Sequence, residues 1–204
     1  MEKYERRDFP VELRVNRAEG KPTKITGHAA VFDKLSVNLH GYQEKIESGA
    51  FADSIKSDDV RALFNHDPNL VLGRSTAGTL MLKEDSKGLY YEIQPPDTQA
   101  ARDLITLIER GDISQNSFGF RVLPDGSTWD EDKEGNIIRT LMKVKLFDIS
   151  PVTFPAYPQT DIALRSNEEI LAEGRNLLKK PIGRTLKAFD RERILQDRLL
   201  ENNS

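Results

Sequence analysis

The stretch Gly111–Val122, GDISQNSFGFRV, constrains this chain more than any other. The segment before it, PPDTQAARDLITLIERG, has helical spacing, with Ala101, Leu104, Ile105 and Ile108 on one stripe. Asp97 or Thr98 can cap its start, and Gly111 can take the left-handed position at its end. The period then changes to two: Phe118, Phe120 and Val122 share one face of a strand, and Ser117, Gly119 and Arg121 share the other. The aromatic face requires a core to pack against. The opposite strand face presents a hydroxyl beside a glycine, where a substrate or backbone can approach closely. A serine there is a nucleophile only if a base activates it; otherwise it is a turn or surface residue.

Elsewhere, VELRV (11–15) and ITGHAAVF (25–32) read as strands separated by a turn. Residues 33–58 are less regular, with EKIESGAFADSIKS as a loop and a short helix. Val60, Ala62 and Phe64 alternate along a strand that should stop at Asp67–Pro68, with His66 sharing their parity at its end. Residues 79–94 read as a hairpin turning through Glu84 to Gly88. Beyond the acidic stretch PDGSTWDEDKEGN, residues 137–149 read as one long strand, with Met142, Val144, Leu146 and Asp148 on a common face. These elements predict a β-rich α+β fold, with a small barrel flanked by helices as the favoured architecture. A domain boundary falls near residue 165, giving a domain 1–165 and a charged helical tail 166–204 that starts at a Ser166/Glu169 capping box. The tail's second apolar run is Phe189, Ile194, Leu195 and Leu199. It is expected to be loosely attached and to dock on a partner.

Composition narrows the chemistry. No cysteine occurs among 204 residues, which removes disulfides, thiolate nucleophiles and cysteine zinc sites. A formal net charge of −3 gives no basic field for nucleic acid. No apolar run reaches the ~20 residues of a membrane span. With three histidines and no HExxH pair, no metal centre or other cofactor is expected. Asp130, Asp132, Glu134 and Gly135 echo a calcium loop, but its twelfth position is Leu141 where a bidentate glutamate is needed.

His66 and Asp148 both lie at strand ends, and a carboxylate continuing an apolar row requires a donor, which an imidazole supplies. With Ser117 they are candidates for a serine–histidine–carboxylate set; equally, Asp148 can cap the turn into Ser150–Pro151 and His66 the one at Asp67–Pro68. Spacing alone leaves rivals open: Ser114, Ser150 and Thr153 among the hydroxyls, His28 among the imidazoles.

The ordered blocks GHAAVF, ESGAF, LFNHD, GDISQNSFGFRV and LFDISPVTFPAYP resemble the prohead maturation proteases of tailed phages over roughly residues 10–165. The resemblance implies His66 as general base, Ser117 as nucleophile and Asp148, a position often occupied by glutamate, as the third member. It implies a small closed β-barrel ringed by helices, often dimeric. It also implies cleavage of scaffold segments of the major capsid protein, and of the scaffold protein, within the assembling prohead in the host cytoplasm. Self-cleavage, expected between about residues 165 and 185, would follow. These enzymes are similar to the herpesvirus assemblins, whose third member is a histidine, which keeps His28 and His40 as minor candidates. Arg121 is a candidate to assist an oxyanion. The rival class is a non-catalytic capsid- or scaffold-binding barrel. An esterase elbow is not matched, because Gln115 stands where its first glycine is required.

Overall fold

The structure is a computed structural model that describes residues 4–9, 13–154 and 166–179. Along the described chain run β1 (Glu5–Phe9), β2 (Leu13–Asn16), β3 (Lys24–Val31), β4 (Gln43–Ile46), α1 (Ala52–Ser57), β5 (Arg61–Phe64) and β6 (Asp67–Arg74). Then come β7 (Leu80–Glu84), β8 (Gly88–Ile93), α2 (Gln99–Arg110), β9 (Gln115–Val122), β10 (Ser127–Glu131), β11 (Ile137–Leu141), β12 (Val144–Val152) and α3 (Asn167–Leu178). The strands divide into a five-stranded sheet β1-β9-β12-β5-β6, a four-stranded sheet β2-β3-β8-β7 and a three-stranded sheet β10-β11-β4. Among the described residues the fold is β-rich with three α-helices, and no closed barrel is found.

The core lies where the five- and four-stranded sheets meet. Phe118 and Phe120 of β9 stack at 4.9 Å between ring centroids, and Phe118 meets Phe51 edge-on at 5.5 Å. Ile25, Leu89, Tyr91 and Ile93 close the cluster from the other sheet, and Leu104, Ile105 and Ile108 of α2 enter it. Across this seam the Tyr91 hydroxyl donates to Asn116 Oδ1 at 2.6 Å, and burial raises its pKa. α2 carries the predicted terminal signals: the Thr98 side chain accepts from the Ala101 amide, and Gly111 sits at φ 83° as the left-handed cap.

Two strands escape the periodicity argument, β1 (ERRDF) and β4 (QEKI), because charged residues point inward. Glu5, Arg7, Glu44 and Arg139 are all at least nine-tenths buried and bond to one another. Arg139 Nη1 donates to Glu5 Oε2 at 2.6 Å and to Glu44 Oε2 at 3.0 Å, and Arg7 Nε donates to Glu44 Oε1 at 2.8 Å. Arg7 Nη2 also donates to the Tyr42 hydroxyl at 3.1 Å, whose pKa burial pushes up to about 12. Two positive and two negative groups compensate one another, so the cluster joins β1 of the large sheet to β4 and β11 of the small one. Removing one member leaves an uncompensated buried charge. Arg139→Ala is therefore expected to lower stability by about 3–5 kcal/mol, read as a fall in the denaturation midpoint at unchanged slope.

The segment expected as one strand from 137 to 149 is two strands in different sheets. The amides of Met142 and Lys143 both donate to Gly126 O at the break. β11 pairs in parallel with β4, and β12 crosses to lie antiparallel to β9. α3 begins with the expected capping box, Ser166 with Glu169. Its buried Ile170 and Leu171 pack against Tyr42, with Trp129 and Ile137 alongside. Gly174 lies so close to the Trp129 ring that a β-carbon there would meet it at about 2.5 Å. The boundary near residue 165 and the second run, Phe189 to Leu199, lie outside the described residues. No described helix is long and apolar enough to cross a membrane.

Candidate active site

Ser117 stands mid-strand in β9, between β1 and β12, opposite Asp8 on one side and Ser150 on the other. Alternation puts its side chain on the face away from Phe118 and Phe120, as its spacing requires.

Asp148 reaches the same face by a route that periodicity does not show. The ladder pairs Leu146 with Phe120 but Asp148 with Gly119, so Phe147 is an extra residue in a β-bulge. The bulge reverses the parity of β12: Leu146 and Ile149 face the core, while Asp148 and Ser150 face Ser117. Asp148 therefore does not continue the Val144–Leu146 row, and the expectation that it shares their face is corrected. α1 supports the irregularity. Ser54 Oγ accepts the Leu146 amide at 2.8 Å, and the Val144 amide donates to Ala50 O at 3.0 Å. That gives the ESGAF block and the helix behind it a structural task. Gly119 completes the arrangement, since a β-carbon there would overlap Asp148 Oδ2. What approaches the glycine closely is this carboxylate, where a substrate or backbone was expected.

His66 also arrives differently from the expectation. β5 ends at Phe64, and β6 begins at Asp67 and runs through Pro68 along the sheet edge, where proline's missing donor is tolerated. The link is a two-residue turn with both central residues left-handed, Asn65 at φ 54° and His66 at φ 57°. Such turns match the twist of a hairpin, but a histidine at positive φ costs about 1–2 kcal/mol. Asn65 offsets this: its amide donates to Pro151 O at 3.0 Å, its Nδ2 donates to Thr153 Oγ1 at 3.1 Å, and its Oδ1 accepts the Thr153 amide at 2.8 Å. The turn is thereby fixed to the end of β12, and the imidazole is held over the Ser117 face. Sequence reading missed Asn65 as the residue that positions His66; the signal was an asparagine heading a two-residue link between two strand-like runs.

His66 Nε2 lies 2.7 Å from Ser117 Oγ, and His66 Nδ1 lies 2.6 Å from Asp148 Oδ1. The His66 and Asp148 side chains are 8% and 10% exposed and Ser117 is 1% exposed, so little water screens either bond. The rival residues go elsewhere. Ser114 is exposed ahead of β9, and Thr153 bonds Asn65. His28 bonds Asp85 at 3.0 Å on the four-stranded sheet. Ser150 is the exception: its Oγ donates to Asp148 Oδ1 at 2.8 Å. In the acidic hairpin β10–β11, Asp132 accepts from the amides of Glu134 and Asn136, and no cluster of metal ligands is found among the described residues.

A hydroxyl, an imidazole and a carboxylate in one hydrogen-bonded line are the groups a serine hydrolase uses, in that order. The family described as caudovirus prohead serine protease matches residues 10–173, and the chain belongs to that family. The matched region extends past residue 165 into α3. Among solved structures, the bacteriophage T4 capsid assembly protease, gp21, is similar at a TM-score of 0.44 and 14% identity, over 74% of this chain and 99% of that one. No curated protein matches.

Proposed function

We propose that this phage prohead protease cleaves peptide bonds with Ser117 as nucleophile, His66 as general base and Asp148 as the orienting acid. The line of bonds from Ser117 Oγ to His66 Nε2 at 2.7 Å, and from His66 Nδ1 to Asp148 Oδ1 at 2.6 Å, carries this reading. With the Nδ1 proton directed at Asp148, the Nε2 lone pair faces the serine hydroxyl. Ser117 Oγ attacks the scissile carbonyl as its proton passes to Nε2. Asp148 stabilises the resulting imidazolium, which then protonates the leaving amine. Water hydrolyses the acyl-enzyme by the same relay in reverse.

The substrates are scaffold segments of the major capsid protein and the scaffold protein itself, met inside the assembling prohead in the host cytoplasm, with the enzyme acting as a homodimer. Self-cleavage belongs to the same reading. Between residues 165 and 185, the helical bonds of Asn167–Leu178 are poor substrates because a protease needs extended chain. Co-expression with the capsid and scaffold proteins, followed by a mass map of the fragments, tests the proposal. Wild type should yield discrete capsid and scaffold fragments that a His66→Ala chain does not produce; identical fragments from both would refute it.

A further inference from the structure

Ser150 was a rival hydroxyl on spacing alone, and its place in the fold gives it another task. We infer that Ser150 is a positioning residue for the hydrolytic site, holding the Asp148 carboxylate in the one orientation that keeps the His66 Nδ1 proton in place. The inference rests on the triad reading above.

Ser150 is fully buried on β12, directly across the ladder from Ser117 and two residues beyond Asp148, on the same face of the sheet. A buried hydroxyl must place its proton. Its bonds lead to Asp148 Oδ1 at 2.8 Å and toward His66 Nδ1 at 3.4 Å. The second is long, and an Nδ1 already carrying a proton cannot accept, so the hydroxyl donates to Asp148. Oδ1 then takes two donors, the imidazole and the hydroxyl. Oδ2 lies against Gly119, in the space a β-carbon would fill.

The carboxylate is thus held at Oδ1 by two donors, and the missing side chain of Gly119 leaves the room that Oδ2 occupies. Rotation about the bond to its carboxyl carbon would break the Ser150 bond. The same strand supplies Asp148 and Ser150, and the bulge at Phe147 brings both to this face. One local irregularity therefore delivers the acid and its holder together.

In the Ser150→Ala variant, Oδ1 keeps only the imidazole and the carboxylate gains freedom to turn. Losing a hydrogen bond to a charged group corresponds to a rate loss of about ten- to a hundredfold. The probe is diisopropyl fluorophosphate, which reports the nucleophile without a known substrate. The Ser117 Oγ–phosphorus bond forms, the phosphorus–fluorine bond breaks, fluoride leaves, and the serine proton passes to His66. The rate of adduct formation on the Ser117 peptide, followed by mass spectrometry, should fall about ten- to a hundredfold in Ser150→Ala. Ser150→Thr, which restores the donor, should recover most of it.

A second readout does not depend on catalysis. In a Ser117→Ala chain, the downfield proton resonance of His66 Nδ1 should be sharp, and adding Ser150→Ala should shift and broaden it. Loss of phosphorylation in Ser117→Ala together with an unaltered rate and resonance in Ser150→Ala would overturn the role of Ser150 alone. Continued labelling of a Ser117→Ala chain would instead overturn the triad reading, while the resonance would still report the Ser150–Asp148 bond.

Discussion

Ser117→Ala is expected to fold as the parent does and to lose about a million-fold in turnover, the scale seen when another serine protease loses its nucleophile. β9 is held on both sides by β1 and β12, and alanine keeps the strand geometry and the β-carbon. The change removes one oxygen and leaves His66 Nε2 without its partner, a loss of about 1 kcal/mol in stability. The chemistry has no replacement. Ser114 is exposed ahead of the strand, Ser150 is committed to Asp148, and Thr153 is bonded to Asn65. Ser114→Ala should accordingly keep activity close to that of the parent. Fragment formation in the co-expression assay reads both variants.

Asp148→Asn should also fold, and should lose about ten-thousand-fold, as the corresponding change does in another triad. The site explains why the amide fails. If its nitrogen faces His66 Nδ1, it donates where the carboxylate accepted. The imidazole then takes the other tautomer, with its proton on Nε2, and cannot receive the serine proton. If its oxygen faces His66, that oxygen still accepts from Ser150, but the amide nitrogen is pressed against Gly119, and the negative charge that stabilised the imidazolium is absent. The first orientation loses the base, and the second keeps it but loses the charge that stabilises the imidazolium. Turnover on the capsid substrate, measured beside circular dichroism to confirm the fold, checks the expectation.

Much of the architecture could be read from period and punctuation. α2 was legible from its stripe, its Thr98 cap and Gly111; the β7–β8 hairpin from its alternation; and the start of α3 from Ser166 and Glu169. β1 and β4 were not, because their inward residues are Glu5, Arg7 and Glu44, whose burial depends on Arg139 from a distant strand. Hydrophobic periodicity cannot register a core position filled by a charge. The β11–β12 break was hidden for another reason: the residues on either side have the same strand character, and only the choice of sheet changes.

The candidate residues of the site were legible in the sequence more than the geometry that brings them together. The face of Ser117 followed from alternation and holds. Asp148 was placed by counting from Val144, and the bulge at Phe147 turned that count by one. His66 was placed by parity with Phe64, yet it sits in a left-handed turn to which parity does not apply. Both residues were singled out through the family resemblance and through polar chemistry at the ends of apolar runs. Bulges and left-handed turns re-aim side chains, so functional positions are where simple periodicity is expected to fail.

The most direct test of the account is the site of covalent labelling by diisopropyl fluorophosphate, read by peptide mass mapping of the folded chain. A single adduct on Ser117 is expected, strongly reduced in His66→Ala and in Asp148→Asn. An adduct on Ser114, Ser150 or Thr153, or labelling of Ser117 that persists unchanged without His66, would contradict it.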